Sequence, residues 1–265
     1  RAGRRKGEER ATSTIGDKRT KQWKGFVRCY RGQVEVMCER RIVIGGRGCQ
    51  VYGDETAKNV IFWFTGEHEK DTIEEVYQQL KETTQVSFWL IACEIEDWNA
   101  QLSPWSAPAV YGKEGFAGEG AETLEWLEKE CLPGLENIYQ MKLEEKRLLI
   151  GGYSLSGLFA MWAFYELGIF TGAAACSASF WFPGWMEYTK QHMVRKKSRI
   201  YLSLGIKEEK TRNPVMATVG EAARGMYQQL SEDMNVEKVT LEWNPGNHFT
   251  QPAERTMKGF AWLLS

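Results

Sequence analysis

The stretch Leu148-Leu149-Ile150-Gly151-Gly152-Tyr153-Ser154-Leu155-Ser156-Gly157-Leu158-Phe159 decides how the rest of the chain is read. An apolar run of strand type ends at Gly152, a single turn carries Ser154, and a strongly apolar helical segment runs from Ser156 to Leu167 with Gly168 as its C-cap. A strand, a sharp turn and a helix in immediate succession, with small residues two positions either side of a serine, allow strand and helix to approach closely. They turn the hydroxyl out of the sheet. Here the small neighbours are Gly152 and Ser156, the latter replacing the second glycine of the commonest form, and Gly157 allows further close packing. The bare Gly-x-Ser-x-small pattern is weak by itself, and a tight turn with an N-capping serine is the alternative. The flanking strand and helix give it force.

On either side of this stretch, apolar strands alternate with helical segments in the order that builds a mostly parallel sheet covered by helices. Val60 to Thr65, Val86 to Cys93, Arg147 to Gly152, Ala173 to Cys176, Arg199 to Leu204 and Lys238 to Trp243 read as strands. Helices are expected around Asp71 to Glu82, over Ala121 to Leu132 with Pro133-Gly134 interrupting it, over Ala217 to Leu230, and from Pro252 to Leu264. The opening is antiparallel in character: Gln33 to Cys38, Arg41 to Ile44 and Cys49 to Tyr52 are short strand-like pieces, and Gly45-Gly46-Arg47-Gly48 reads as a turn rather than a phosphate loop. The expected class is therefore α/β, an α/β-hydrolase fold with a mostly parallel central sheet, flanking helices and antiparallel strands at the N-terminal edge.

The partners of Ser154 follow from chain order, which in this fold runs Ser, then Asp or Glu, then His. Of the three histidines, His68 precedes the turn and His192 lies in a Lys/Arg-rich stretch, Gln191 to Lys197, read as helical. His248 sits in Trp243-Asn244-Pro245-Gly246-Asn247-His248-Phe249, after the last strand and before the last helix, and is the candidate general base. For the acid, Leu204-Gly205-Ile206-Lys207-Glu208-Glu209 runs from a strand into a charged loop; Glu208 is preferred, with Glu209, an acid elsewhere or no acid as alternatives. Leu155 at a helix start supplies one oxyanion donor, and the Gly66 or Glu67 backbone N–H a second. Trp98, Trp105, Trp181 and Tyr153 are candidate substrate-binding residues, although the tryptophans serve equally well as caps on the core. His68 either touches substrate or lies on the surface.

Gly-Tyr-Ser154-Leu-Ser-Gly, Ser177-Ala-Ser179-Phe-Trp, Leu204-Gly205-Ile-Lys-Glu208 and Gly246-Asn-His248-Phe together resemble the esterase D and enterochelin esterase-like family of α/β hydrolases, over most of residues 33 to 265. The resemblance implies hydrolysis of a carboxylic ester through an acyl-enzyme, with no metal or organic cofactor. It does not fix the substrate, since acyltransferases share the machinery. An acyltransferase, a peptidase and a catalytically silent binding protein stay open as alternatives.

Composition bounds the remainder. A chain of 265 residues with 43% hydrophobic and 26% charged residues suits a globular domain, expected as one unit over 23 to 265. Residues 1 to 22 carry eight Lys/Arg against three acidic residues and read as a flexible basic tail. A net charge of −1 argues against a nucleic-acid partner. No apolar stretch suits a membrane span or a signal peptide, so no membrane partner and a cytoplasmic location are expected, with a small-molecule ester as the partner and the oligomeric state open. The six cysteines, 29, 38, 49, 93, 131 and 176, lack C-x-x-C spacing and read as reduced buried thiols rather than a disulfide framework or a zinc site.

Overall fold

A computed structural model describes the backbone of residues 26–30 and 37–40 and the whole of residues 41–53 and 56–265. The tail over 1 to 22 and the first part of the strand expected from Gln33 lie outside the described residues. Among the described residues nine strands form one sheet, in the order β1-β2-β3-β5-β4-β6-β7-β8-β9. Antiparallel pairing joins β1 (Phe26–Tyr30), β2 (Met37–Ile44), β3 (Arg47–Gly53) and β5 (Phe88–Glu94). From β5 the sheet is parallel through β4 (Asn59–Thr65), β6 (Arg147–Tyr153), β7 (Gly172–Cys176), β8 (Ser198–Gly205) and β9 (Val236–Asn244). This is the α/β-hydrolase architecture, mostly parallel with an antiparallel N-terminal edge. The sheet begins earlier than the strand pattern suggests, since Phe26–Tyr30 adds an edge strand.

The turn between β2 and β3 lies at Gly45 and Gly46, both at positive φ (53° and 86°), the geometry of a tight hairpin. Strands β4 and β7 are buried along their whole length. Such strands read as unbroken apolar runs because helices cover both faces. On one face lie α1 (Ile73–Thr83), reached through a 3₁₀ turn at Glu67–Thr72, and α8 (Pro252–Leu264). The other face carries α2 (Trp98–Gln101), α3 (Gly120–Trp126), α4 (Leu132–Tyr139), α5 (Leu155–Leu167), α6 (Trp185–Lys190) and α7 (Val219–Glu232). In α5 every residue from Leu155 to Tyr165 is buried, which accounts for its being apolar all round. Gly168 closes α5 in the left-handed conformation.

Two expectations need correction. Pro133-Gly134 does not interrupt the helix: a π-helical turn at Leu127–Cys131 joins α3 to α4, and the Leu132 N–H donates to the Leu127 carbonyl. Proline has no N–H to give the carbonyl four residues back, and lengthening one turn carries the helix past that gap. The stretch Gln191 to Lys197 is not helical either, because α6 ends at Lys190. No helix among the described residues is long and apolar enough to cross a membrane.

Candidate active site

Ser154 lies between the end of β6 and the start of α5 with φ 59° and ψ −123°, a region that L-residues other than glycine rarely occupy and that persists only when surroundings enforce it. The packing around the turn does so. A Cβ on Gly152 would lie 2.1 Å from the Ser156 Oγ and 2.8 Å from the Ser156 carbonyl carbon. One on Gly157 would lie 2.9 Å from the Gly152 carbonyl. Ser156 uses its hydroxyl structurally, donating to the Phe64 carbonyl at 2.6 Å. That bond ties the first turn of α5 to the end of β4, just before the loop at Gly66 and Glu67.

The structure brings Ser154, His248 and Glu208 together from three separate parts of the chain. The Ser154 Oγ lies 3.0 Å from His248 Nε2, and His248 Nδ1 lies 2.8 Å from Glu208 Oε2. With Nδ1 donating to the carboxylate, Nε2 presents a lone pair to the serine hydroxyl. Glu208 follows β8 on a short 3₁₀ turn and is buried. Its Oε1 accepts from the Ser177 hydroxyl (2.7 Å), the Gly205 N–H (2.7 Å) and Arg255 Nη1 (3.1 Å). Burial pushes its carboxyl upward, but the bond and charge of His248, with the bonds from Ser177 and Gly205, outweigh that and hold it below the ordinary value. Glu209 points elsewhere, into an ion pair with Arg224 at 2.7 Å.

Arg255, on α8, is the residue that sequence reasoning missed. It is 2% exposed and, besides Glu208, donates to the Tyr153 hydroxyl (3.2 Å), the Ser177 hydroxyl (3.1 Å) and the Pro245 carbonyl (2.7 Å). Tyr153 in turn donates to the His248 carbonyl at 2.6 Å, so acid and histidine loop are fastened to one guanidinium. Ser177, held at φ 44° after β7, belongs to the same network. Ser179 stands close to Ser154, its Oγ 3.4 Å from the Ser154 Oγ and its N–H bonded to the Ser154 carbonyl.

Leu155 and Glu67 each begin a helical turn, where backbone N–H groups have no intrahelical partner. Gly66 differs, because its N–H donates to Glu69 Oε2 at 3.2 Å. A Cβ on Gly66 would lie 2.8 Å from the His68 ring and from Trp98. The two rings meet edge to face at 4.7 Å, and burial lowers the basicity of His68. Burial also raises the Glu69 carboxyl to about 8, against the opposing bond from Gly66. Of the aromatic candidates, Trp98 stands beside this loop. Trp105 donates to the Pro183 carbonyl and packs on Phe182 and Tyr188, and Trp181 packs among Tyr111, Phe116 and Phe182. The Tyr153 hydroxyl is committed to the histidine loop. His192 stacks on Tyr188, its Nδ1 2.7 Å from the Tyr188 carbonyl.

A family model described as putative esterase matches residues 46–249. The chain belongs to the putative esterase family. It is a carboxylic ester hydrolase. This esterase is 21% identical over 199 residues to the uncharacterized protein YbbA of Bacillus subtilis (strain 168), covering 73% of this chain and 78% of the relative. Its fold is similar to that of an IroE-like serine hydrolase from Shewanella oneidensis, with a TM-score of 0.69 and 16% identity over 82% of this chain and 75% of the other. It is also similar to the siderophore hydrolase EstA from Aspergillus nidulans, with a TM-score of 0.61 and 15% identity over 97% of this chain and 98% of the other.

Proposed function

We propose that the esterase acts through an acyl-enzyme on Ser154, with His248 as general base and Glu208 as the acid that orients it. The observation that carries this reading is the pair of contacts on His248, 3.0 Å to the Ser154 Oγ and 2.8 Å to Glu208 Oε2. The Ser154 oxygen attacks the acyl carbonyl while His248 Nε2 takes its proton, and the imidazolium formed is stabilised by Glu208. As the tetrahedral adduct collapses, the bond to the alcohol breaks and His248 returns the proton to the leaving oxygen. Water, activated by the same imidazole, then releases the acid. Positioned proton transfer contributes about 10² to 10⁴ in rate, and an oxyanion donor about 10² to 10³.

Two backbone donors fit the oxyanion, the Leu155 and Glu67 N–H groups. Gly66 is better assigned to shaping the loop, because its own N–H is held by Glu69. Trp98, beside that loop, is the aromatic residue assigned to substrate contact. Tyr153 is assigned a positioning part through the His248 carbonyl, while Trp105 and Trp181 brace the aromatic cluster behind Ser179. The one helix between β7 and β8 is the short α6, too small for a lid domain, which suits a small or polar ester.

Labelling with a fluorophosphonate probe, paired with hydrolysis of short-chain p-nitrophenyl esters, tests the assignment. Ser154→Ala is expected to abolish both labelling and turnover, and His248→Ala to lower turnover by at least about 10³. A folded Ser154→Ala variant that keeps wild-type turnover would sink the reading. Products formed with added alcohols or amines separate hydrolysis from acyl transfer.

A further inference from the structure

Three cysteines far apart in sequence meet in the core. Cys49 on β3, Cys93 on β5 and Cys131 at the end of the π-helical turn have sulfur atoms that all lie within 4.8 Å of one another. Cys49 and Cys93 stand directly opposite each other across the antiparallel β3·β5 pair. Cys131 reaches them from the covering helix layer, and π turns of this kind recur at functional sites. All three are wholly buried and free. The spacings in the chain hide this arrangement, because each sulfur comes from a different element.

The surroundings supply a matching charge. Arg47, two residues before Cys49, is partly buried, donates to the Thr123 hydroxyl at 3.1 Å and lies over the Trp126 ring at 5.1 Å. It interacts electrostatically with Cys93 and Cys49, then with Glu96 and Glu122, and has no carboxylate within ion-pair distance among the described residues. A half-buried guanidinium on an aromatic face, with no carboxylate at ion-pair distance among the described residues, is suited to offset negative charge on sulfur.

We propose that Cys49, Cys93 and Cys131 form a three-coordinate thiolate site for a soft metal ion, monovalent copper, which clamps the antiparallel edge of the sheet to the α3–α4 layer. Geometry and donor type select the ion. Sulfur atoms placed trigonally about a metal at a bond length of about 2.3 Å stand about 4 Å apart, so the cluster needs to contract by less than an ångström. Thiolates alone favour monovalent copper, whereas a closed zinc site takes a fourth ligand. Among the described residues no His, Asp or Glu joins the group. On binding, the thiols that become thiolates release their protons to solvent, copper–sulfur bonds form, and no electron is transferred. The site is formed by β3, β5 and the helix layer, so Ser154 and its partners are not needed for it.

The test uses the full chain, reduced and free of oxygen, titrated with monovalent copper against a chromogenic copper(I) chelator. The expected result is one copper per chain, an X-ray absorption spectrum with three sulfur neighbours at about 2.3 Å, and a higher melting temperature. Cys131→Ser is expected to weaken retention at least tenfold. Cys29→Ser/Cys38→Ser, which leaves the cluster intact, is expected to keep it. Hydrolysis of p-nitrophenyl acetate reports that each variant is folded. Copper retained equally by a folded Cys49→Ala/Cys93→Ala/Cys131→Ala variant would overturn the proposal, as would wild-type protein that yields all its copper to the chelator at the rate of free ion.

Discussion

Glu208 and Glu209 are adjacent, identical in charge and indistinguishable by composition, yet the fold sends them in opposite directions. Glu208 is buried against Arg255, Ser177 and His248, and Glu209 pairs with Arg224 nearer the surface. In the sequence, chain order and the strand that ends at Gly205 point to this pair, with a Ser-His dyad or an acid elsewhere left open. Choosing between them depends on which side chain turns inward, and the signal for that is the Gly205 N–H, which closes a short turn onto the Glu208 carboxylate. Arg255 was harder to see. It lies in the middle of the first turns of an amphipathic helix, where an arginine reads as a solvated side chain, and only the meeting of α8 with the β8 and β9 loops buries it. We expect Glu208→Gln to lower kcat by about 10³ to 10⁴, because the amide no longer enforces the right imidazole tautomer. Glu209→Gln should change kcat less than about threefold, since exposed ion pairs contribute little. Steady-state kinetics on a p-nitrophenyl ester separates them, and equal effects of the two substitutions would count against Glu208 as the acid.

Elements were legible wherever one pattern decided them. Strands β4, β6 and β7 announce themselves as apolar runs because both faces are covered, and the limits of α8 follow from Pro252 at its start. Where two rules compete, the sequence was less telling. Pro133 signals a helix stop, and the packing of Leu127, Cys131 and Leu135 overrides it by admitting a π turn. The junction of β6 and α5 shows how an element boundary can be tested. Ser156 donates to the buried Phe64 carbonyl, and removing its hydroxyl loses that bond at a cost of about 0.5–1.5 kcal/mol. Ser156→Ala is therefore expected to lower the unfolding free energy by that amount while kcat stays within a few fold. Gly152→Ala should instead remove turnover, because its Cβ would press on the backbone of the next turn and displace Ser154. Urea titration alongside initial rates tests the contrast, and a Gly152→Ala enzyme of wild-type kcat would show that the turn has more slack than the contacts imply.

Across the whole molecule, the same carboxylate joins pieces that the sheet alone would leave loosely connected. Glu208 follows β8, Ser177 follows β7, His248 sits between β9 and α8, and Arg255 belongs to α8 on the far face. Ionised Glu208 is the only carboxylate in ion-pair contact with Arg255 among the described residues, so its charge state bears on how firmly α8 is held to the parallel half of the sheet. The direction of the pH dependence follows from its lowered folded-state value. A carboxyl with a folded pKa below its unfolded one contributes fully above the unfolded value, 4.5 for Glu. That contribution is lost as pH falls through the folded value, where the native state must also take up a proton. In Glu208→Gln the charge is absent at every pH and Arg255 is left without its carboxylate, a condition that costs several kcal/mol for buried pairs. The urea midpoints of wild type and Glu208→Gln should therefore differ most near neutrality and converge as pH falls below 4.5 and on through the lower folded value. A gap that stays constant down to the acid limit would mean that Glu208 serves His248 without helping to hold α8 in place.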